Sequence, residues 1–353
     1  MALHVRGVLL PDDEVRDLWI DGDSLSLEPV PRAETVSDNG FILPGLVDAH
    51  CHIGIAPRGA PVSSVEQAKG LAMVDRAAGV LAIRDAGSPF DYAGLEDDPE
   101  MPRLARAGRH VAPVRRYLPE IGVEVLAEQV AAEVTRQAGR GTGWVKLVGD
   151  WIDREVGDLA PAWDEATLAG AVAAAHAAGA RITAHCFEEN SVAALVRAGI
   201  DCVEHGTGLS LDLIDEMARR GTSLVPTMIN VERFDELAAG GEKKYPLWAK
   251  HMRKLGREFP KVVAAAYEAG VQLYAGSDAG GGIEHGQVAR EILRLNATGV
   301  STVDAIAAGS WRAREWLGFD GLADLTIYDR DPRADPRVLL EPARIILRGK
   351  VIR

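Results

Sequence analysis

One short pattern recurs along this 353-residue chain and limits what it can fold into: a helical stretch, a glycine, then a β-rich run ending on a polar residue. It appears in AVAAAHAAGARITAH, SVAALVRAGIDCVEH, DLIDEMARRGTSLVPT and MVDRAAGVLAIRD, and VVAAAYEAGVQLYAGSD is a fifth variant. Glycine suits the left-handed turn that closes a helix. The apolar, β-branched run after it suits a parallel strand buried on both faces. Gly79, Gly179, Gly199 and Gly221 stand six residues before Asp85, His185, His205 and Thr227 respectively. Polar groups thus recur at the C-terminal ends of successive strands, where a (β/α)8 barrel keeps its chemistry. A doubly wound open sheet is the alternative for alternating strands and helices. The equal offset favours the barrel.

Eight strands are expected, at 45–50, 80–85, 110–115, 144–149, 181–185, 201–205, 222–227 and 271–277. The polar stretch 230–260 before the last is either a lid or a decorated loop with its own helix. Residues 1–43 and 320–353 differ from the rest, with short apolar runs broken by turn signals such as Asp21-Gly22 and Asn39-Gly40. They predict a small β domain built from both termini around a barrel at 44–319. The length suffices for such a barrel plus an appendage.

A net charge of −13 offers no basic field for nucleic acid or an acidic membrane surface. No apolar run reaches the roughly 18 residues of a membrane span, and the N-terminus lacks the features of a secretory signal. Cys51, Cys186 and Cys202 are too few for a disulfide framework, so a reducing cytoplasm is expected.

Several residues at strand ends carry chemistry. His50 and His52 in PGLVDAHCHIG lie at i and i+2, on one face of a strand, and can chelate a metal from one side. His185 and His205 end adjacent strands, and neutral imidazole is a good zinc ligand. Asp278 in QLYAGSDAGGG can bind metal through one oxygen and take a proton from water with the other; an Asx turn before the glycines is the simpler alternative. Lys146 in GWVKLVGDW would be repelled, as an ammonium, by two divalent ions. Carboxylation to a bridging carbamate removes that conflict. A lysine paired with Asp150 beside a single metal is the other possibility.

The segments GFILPGLVDAHCHIG, AGVLAIRDAGSP, WVKLVGDW, RITAHCF, AGIDCVEHGTGLSLDLIDEMARRGTSLVPT, LYAGSDAGGGIEHG and GLADLTIYDRDP extend over nearly the whole chain. Together they resemble the amidohydrolase superfamily, most of all its binuclear Xaa-Pro dipeptidase and imidazolonepropionase-related branch. The resemblance implies a (β/α)8 barrel with a small β-sandwich from both termini. It implies that His50 and His52 hold one metal and His185 and His205 the other, that carboxylated Lys146 bridges them, and that Asp278 binds the first metal and shuttles the proton. Two divalent ions, zinc first, and possible homo-oligomers follow. Region 110–122 lacks the Gly-Gly-His signature common in the dipeptidase branch, and GFDGLADL is shorter than usual.

The expected reaction is cleavage of an amide-type C–N bond in an N-acyl amino acid, dipeptide or cyclic amide, by a metal-bridging hydroxide with Asp278 as base and acid. Lactone or ester hydrolysis would use the same parts. A mononuclear deaminase is the rival, with Glu188 of His185-Cys-Phe-Glu188 protonating a heterocycle; the simpler role for Glu188 is at a helix start. A catalytically silent binding protein on the same barrel is the reading from another class. Tyr117, Asp150, Trp151, Thr227 and His285 follow strand ends and are the expected substrate contacts. Asp48, Arg84, Asp85 and Glu204 are expected to orient ligands or to pair with each other, and His4, His110, His176 and His251 to be structural or on the surface.

Overall fold

The structure is a computed structural model, and it describes residues 2–319, 321 and 323–353. The expected domain boundary at 320, and Asp320 and Leu322 within GFDGLADL, lie outside the described residues. The N-terminal strands are β1 (Leu3–Leu9), β2 (Glu14–Asp21), β3 (Ser24–Ser26), β4 (Glu34–Ser37) and β5 (Phe41–Pro44). The chain then enters β6 (Leu46–Cys51), α1 (Val65–Ala77), β7 (Val80–Asp85), β8 (Arg103–Arg106), β9 (Val111–Pro113), β10 (Val123–Val125) and α2 (Val130–Ala138). Next come β11 (Trp144–Val148), the hairpin β12 (Asp150–Asp153) and β13 (Asp158–Pro161), α3 (Glu165–Ala177), β14 (Arg181–Cys186), α4 (Glu189–Ala198) and β15 (Cys202–His205). These lead to α5 (Leu211–Arg220), β16 (Ser223–Val225), α6 (Met228–Val231), α7 (Phe234–Gly241), α8 (Pro246–Glu268) and α9 (Val288–Ala297).

Parallel pairing runs β6–β7–β8 and β9–β11–β14–β15–β16. Residues 272–279 join the two ends. Leu224 N donates to Gln272 O at 2.9 Å, and Ala49 N and His52 N donate to Ala275 O and Ala279 O at 2.8 and 2.7 Å. Asp278 N donates to His50 O at 2.7 Å. This is a TIM-barrel-type α/β fold. Gly79, Gly179, Gly199 and Gly221 have φ of 89, 73, 85 and 71°, the left-handed turn that the repeat requires.

Two strands differ from expectation. The third position is shared by β8 and β9, so pairing begins at Arg103, well before residue 110. Arg103 and Arg106 disguise β8 as a polar segment, but each is buried against carboxylates, Arg103 on Asp324 at 2.9 Å and Arg106 on Glu96 at 2.9 Å. The eighth segment, 271–277, carries only isolated bridges, among them Leu224 with Leu273. It bonds one neighbour and then the other, so no continuous ladder forms.

The C-terminal strands β17 (Leu325–Tyr328), β18 (Arg344–Leu347) and β19 (Lys350–Val351) return to the start of the chain. β17 lies antiparallel to β5, with Leu325 opposite Pro44. Strands of both termini form one hydrogen-bonded sheet in the order β19-β18-β17-β5-β1-β2-β3, with β4 also on β1. Val5, Leu18, Ile20, Ile42, Leu325, Ile327 and Ile346 fill its core. Among the described residues no helix is long and apolar enough to cross a membrane.

Candidate metal centre

His50, His52, Lys146, His185, His205 and Asp278 all line one cavity of about 290 Å³. β6 presents His50 and His52 on the same face, with ring centroids 5.0 Å apart. Asp278 Oδ1 lies 2.9 Å from His50 Nε2 and 3.3 Å from His52 Nε2. Potential ligand atoms of these three residues fall within 4.8 Å of one another. The rings of His185 and His205 are 4.8 Å apart, and His205 is 5.2 Å from His50.

Two of the ring nitrogens are held from behind. His52 Nδ1 bonds Gly87 O at 2.9 Å and His205 Nδ1 bonds Thr227 Oγ1 at 2.8 Å. The Gly87 carbonyl can only accept, so it fixes the tautomer of His52 and leaves Nε2 for a metal, while the Thr227 hydroxyl orients the His205 ring. His185 Nε2 is buried with no hydrogen-bond partner among the described residues. Burial, with His205 and Lys146 nearby, drives its pKa well below the ordinary value. Burial also takes His205 down to about 3, helped by His50 and Lys146. Both imidazoles are therefore neutral at physiological pH. Burial alone would raise the Asp278 carboxyl, but His50 and His52 hold it well below the usual carboxylate range. A buried imidazole without a hydrogen-bond partner, in one cavity with a second neutral imidazole and a carboxylate, fits a divalent ion.

Glu204, next to His205 on β15, organises the floor. It contacts Lys146 Nζ, and its Oε1 accepts from Thr183 Oγ1 at 2.8 Å and lies 3.1 Å from Arg84 Nη2. His50 Nδ1 is 3.2 Å from the same oxygen but outside hydrogen-bond geometry. Burial opposes ionisation of Glu204, yet His50, Lys146 and Arg84 hold its pKa well below the ordinary value. Asp48 accepts from His50 N at 3.2 Å and Ser277 N at 2.9 Å, tying β6 to the last barrel segment. His205, Thr227 and Asp278 have φ of 63, 47 and 57°. Left-handed backbone at non-glycine residues is costly and gathers at functional sites.

Of the expected substrate contacts, Tyr117 and Trp151 line the cavity. Asp150, Thr227 and His285 do not. Asp150 is fully buried and accepts from the backbone of Phe187 and Glu188, each at 2.7 Å. Thr227 stands behind His205, and His285 pairs with Asp75 at 2.7 Å. Glu188 caps α4, accepting from Ser191 N at 2.7 Å and Ser191 Oγ at 2.6 Å. His110 is fully buried, 5.2 Å from the ring of His52 and 5.4 Å from that of Tyr117. His251 bridges Glu189 and Asp158 at 2.9 and 3.0 Å.

Residues 230–260 fold into helices and give Asn230, Arg233 and Leu237 to the cavity. Asn230 Nδ2 donates to Asp278 Oδ2 at 2.7 Å. The sequence reading missed Asn230 and Arg233. Their three-residue spacing just after the seventh strand was the available signal.

The chain matches the amidohydrolase family over residues 41–352. Proteins of Mycobacterium tuberculosis and Mycobacterium bovis, both described as uncharacterized, are 51% identical over 357 residues, covering 99% of this chain and 95% of theirs. A Xaa-Pro dipeptidase crystallised with methionine in its active site has a TM-score of 0.83 at 22% identity, covering 99% of both chains. A. niger ochratoxinase has 0.80 at 18%, covering 100% of this chain and 96% of its own. These structures share the fold. With the family match and the convergence of ligand residues in one cavity, the chain belongs to the amidohydrolase family and is a hydrolase of carbon–nitrogen bonds.

Proposed function

We propose that this chain hydrolyses the amide-type C–N bond of N-acyl amino acids, dipeptides or cyclic amides at a two-metal centre. The convergence of four imidazoles, Asp278 and Lys146 on one cavity carries the reading. His50, His52 and Asp278 would hold one ion, His185 and His205 the other, and Lys146, carboxylated, both. Zinc suits the nitrogen-rich donor set. The barrel at 44–319 supplies the site, and the terminal segments 1–43 and 320–353 form a separate small sandwich domain.

Charge supports the carbamate. Without metal, Lys146 and Arg84 balance Glu204 and Asp278, so an ammonium is tolerated. Arg84 remains as a counter-ion to Glu204 at 3.1 Å. Two divalent cations would then face an ammonium at Lys146 whose counter-charge, Glu204, is shared with Arg84, and carboxylation reverses that charge.

When bound, the metals polarise the scissile carbonyl and bring the pKa of water toward neutrality. The chain's residues do the rest. Asn230 fixes Asp278 Oδ2 by its 2.7 Å hydrogen bond and so sets the plane of the carboxylate. Asp278 takes the proton of the attacking water and passes it to the leaving nitrogen. Trp151, Phe187, Leu237 and Ile283 line the cavity with apolar surface that excludes bulk water. The deaminase reading needs a free Glu188, whose carboxylate is occupied in capping α4.

The test is metal-reconstituted protein against N-acyl amino acids, dipeptides, cyclic amides, lactones and aminated heterocycles. Release of free amine that stops on chelation is expected. Turnover confined to lactones, or ammonia released from heterocycles, would contradict the assignment.

A further inference from the structure

Arg233 is the only arginine lining the cavity that holds the metal-ligand residues, among the described residues. We propose that it anchors a carboxylate of the substrate, so that the site selects N-acyl amino acids with a free α-carboxylate over uncharged amides. This inference rests on the amide-hydrolase reading above and adds the substrate's charge to it.

Its position follows from three neighbours. Asn230, which bonds Asp278, lies three residues before Arg233, and the backbone stays right-handed helical through Glu232 and Arg233. Residues three apart on such backbone share a face, with Cβ atoms about 5–6 Å apart. Gly280 packs on His52, since a Cβ there would lie 2.9 Å from His52 Cβ. Two residues on, Gly282 packs on the guanidinium: its Cβ would collide with Arg233 Nη1 and lie 3.1 Å from Cζ. Two residues of extended chain span about 7 Å at most. Arg233 is therefore tied by both segments to the cavity that the ligand cluster lines.

The guanidinium is available for this role. Its one carboxylate neighbour among the described residues is Glu236, 3.5 Å from Nε, and Glu236 is 73% exposed. An ion pair so open to solvent competes weakly. Nη1 and Nη2 have no protein acceptor among the described residues, and their planar fork matches a carboxylate in two parallel hydrogen bonds. The chain carries a net charge of −13, so a cation placed away from the metals favours an anionic substrate group there. Lys146 cannot serve, being buried at the cavity floor and, in the proposed metal-loaded site, a carbamate.

The glycine run gains a purpose on this account. Gly282 does not have the left-handed φ of Gly280 and Gly281, so alanine there strains no backbone and acts by pushing the guanidinium aside.

The experiment uses metal-loaded wild type, R233M, R233K and G282A. Each is given N-acetyl-L-leucine, N-acetyl-L-phenylalanine and their carboxamides, and acetate release is followed. The expected result is a wild-type kcat/KM preference for carboxylate over carboxamide that falls at least 10-fold in R233M and G282A, mainly through KM, and is partly restored in R233K. An unchanged preference in R233M overturns the proposal. A second readout is independent of turnover: calorimetric binding of N-acetyl-L-leucine to the metal-free proteins. Kd weaker by 10-fold or more in R233M supports the anchor even if acetate is not released, in which case only the amide-hydrolase reading fails. Equal Kd in wild type and R233M refutes it.

Discussion

Replacing Thr227 with valine removes one hydroxyl and keeps the shape of the side chain. Thr227 is fully buried, and its Oγ1 is 2.8 Å from His205 Nδ1. Both residues are β-branched, so the strain of φ 47° is common to wild type and variant and cancels. What changes is one polar contact. A buried ring nitrogen left without a partner costs about 1–3 kcal/mol. Loss of a hydrogen bond behind a ligating imidazole lowers metal affinity about 10–100-fold, or about 1.4–2.7 kcal/mol. The bond reaches only His205, so the penalty should fall on the ion proposed at His185 and His205. Titration against a calibrated chelator resolves the two affinities. One should weaken by that factor while the other stays within about twofold, and T227S, which keeps the hydroxyl, should restore the first. Two unchanged affinities in T227V would refute the argument that Thr227 holds the His205 ring in place.

Gly276 sits where a Cβ would lie 2.6 Å from His50 Cβ and 2.8 Å from His50 N. G276A should therefore cost about 1–3 kcal/mol through overpacking and reduce bound metal while circular dichroism stays native; full metal content would contradict this. Glu204→Gln leaves Arg84 and Lys146 without their buried counter-charge, and breaking such a cluster costs about 3–5 kcal/mol, readable in urea denaturation of the metal-free protein. The pKa of His251 is raised to about 9, first by its hydrogen bond to Glu189, which is itself lowered to about 2 by the same contact. A raised histidine pKa stabilises fully below about 6.5 and is lost as pH climbs through 9. The lowered glutamate stabilises above about 4.5 and is lost as pH falls through 2. Amide exchange in α8 should thus be slowest between about pH 4.5 and 6.5, after correction for intrinsic rates, and H251N should flatten the profile.

The barrel was legible because its periodic elements carry their own punctuation. Gly79, Gly179, Gly199 and Gly221 mark helix ends, and the polar residue six places on marks the catalytic rim. β8 was hidden because Arg103 and Arg106 look like surface residues until their partners Asp324 and Glu96 are known, and Asp324 is 221 positions away. The same limit applied to the second layer of the site. Asp150 and Thr227 follow strand ends as substrate contacts would, yet one accepts backbone N–H groups and the other supports a histidine. Strand-end position locates the rim but does not say which way a side chain turns. Asn230 and Arg233 lie in a segment whose charges suggested a loop or lid, and only its folding into helices brings Asn230 to Asp278 and Arg233 to the cavity wall.

The central claim is that six side chains from distant segments hold two divalent ions through a carboxylated lysine. Zinc titration of metal-free protein in bicarbonate, read as ions bound per chain, tests it most directly. Wild type should bind two ions and K146A no more than one. A wild type that binds at most one ion, or a K146A variant that still binds two, would contradict the account.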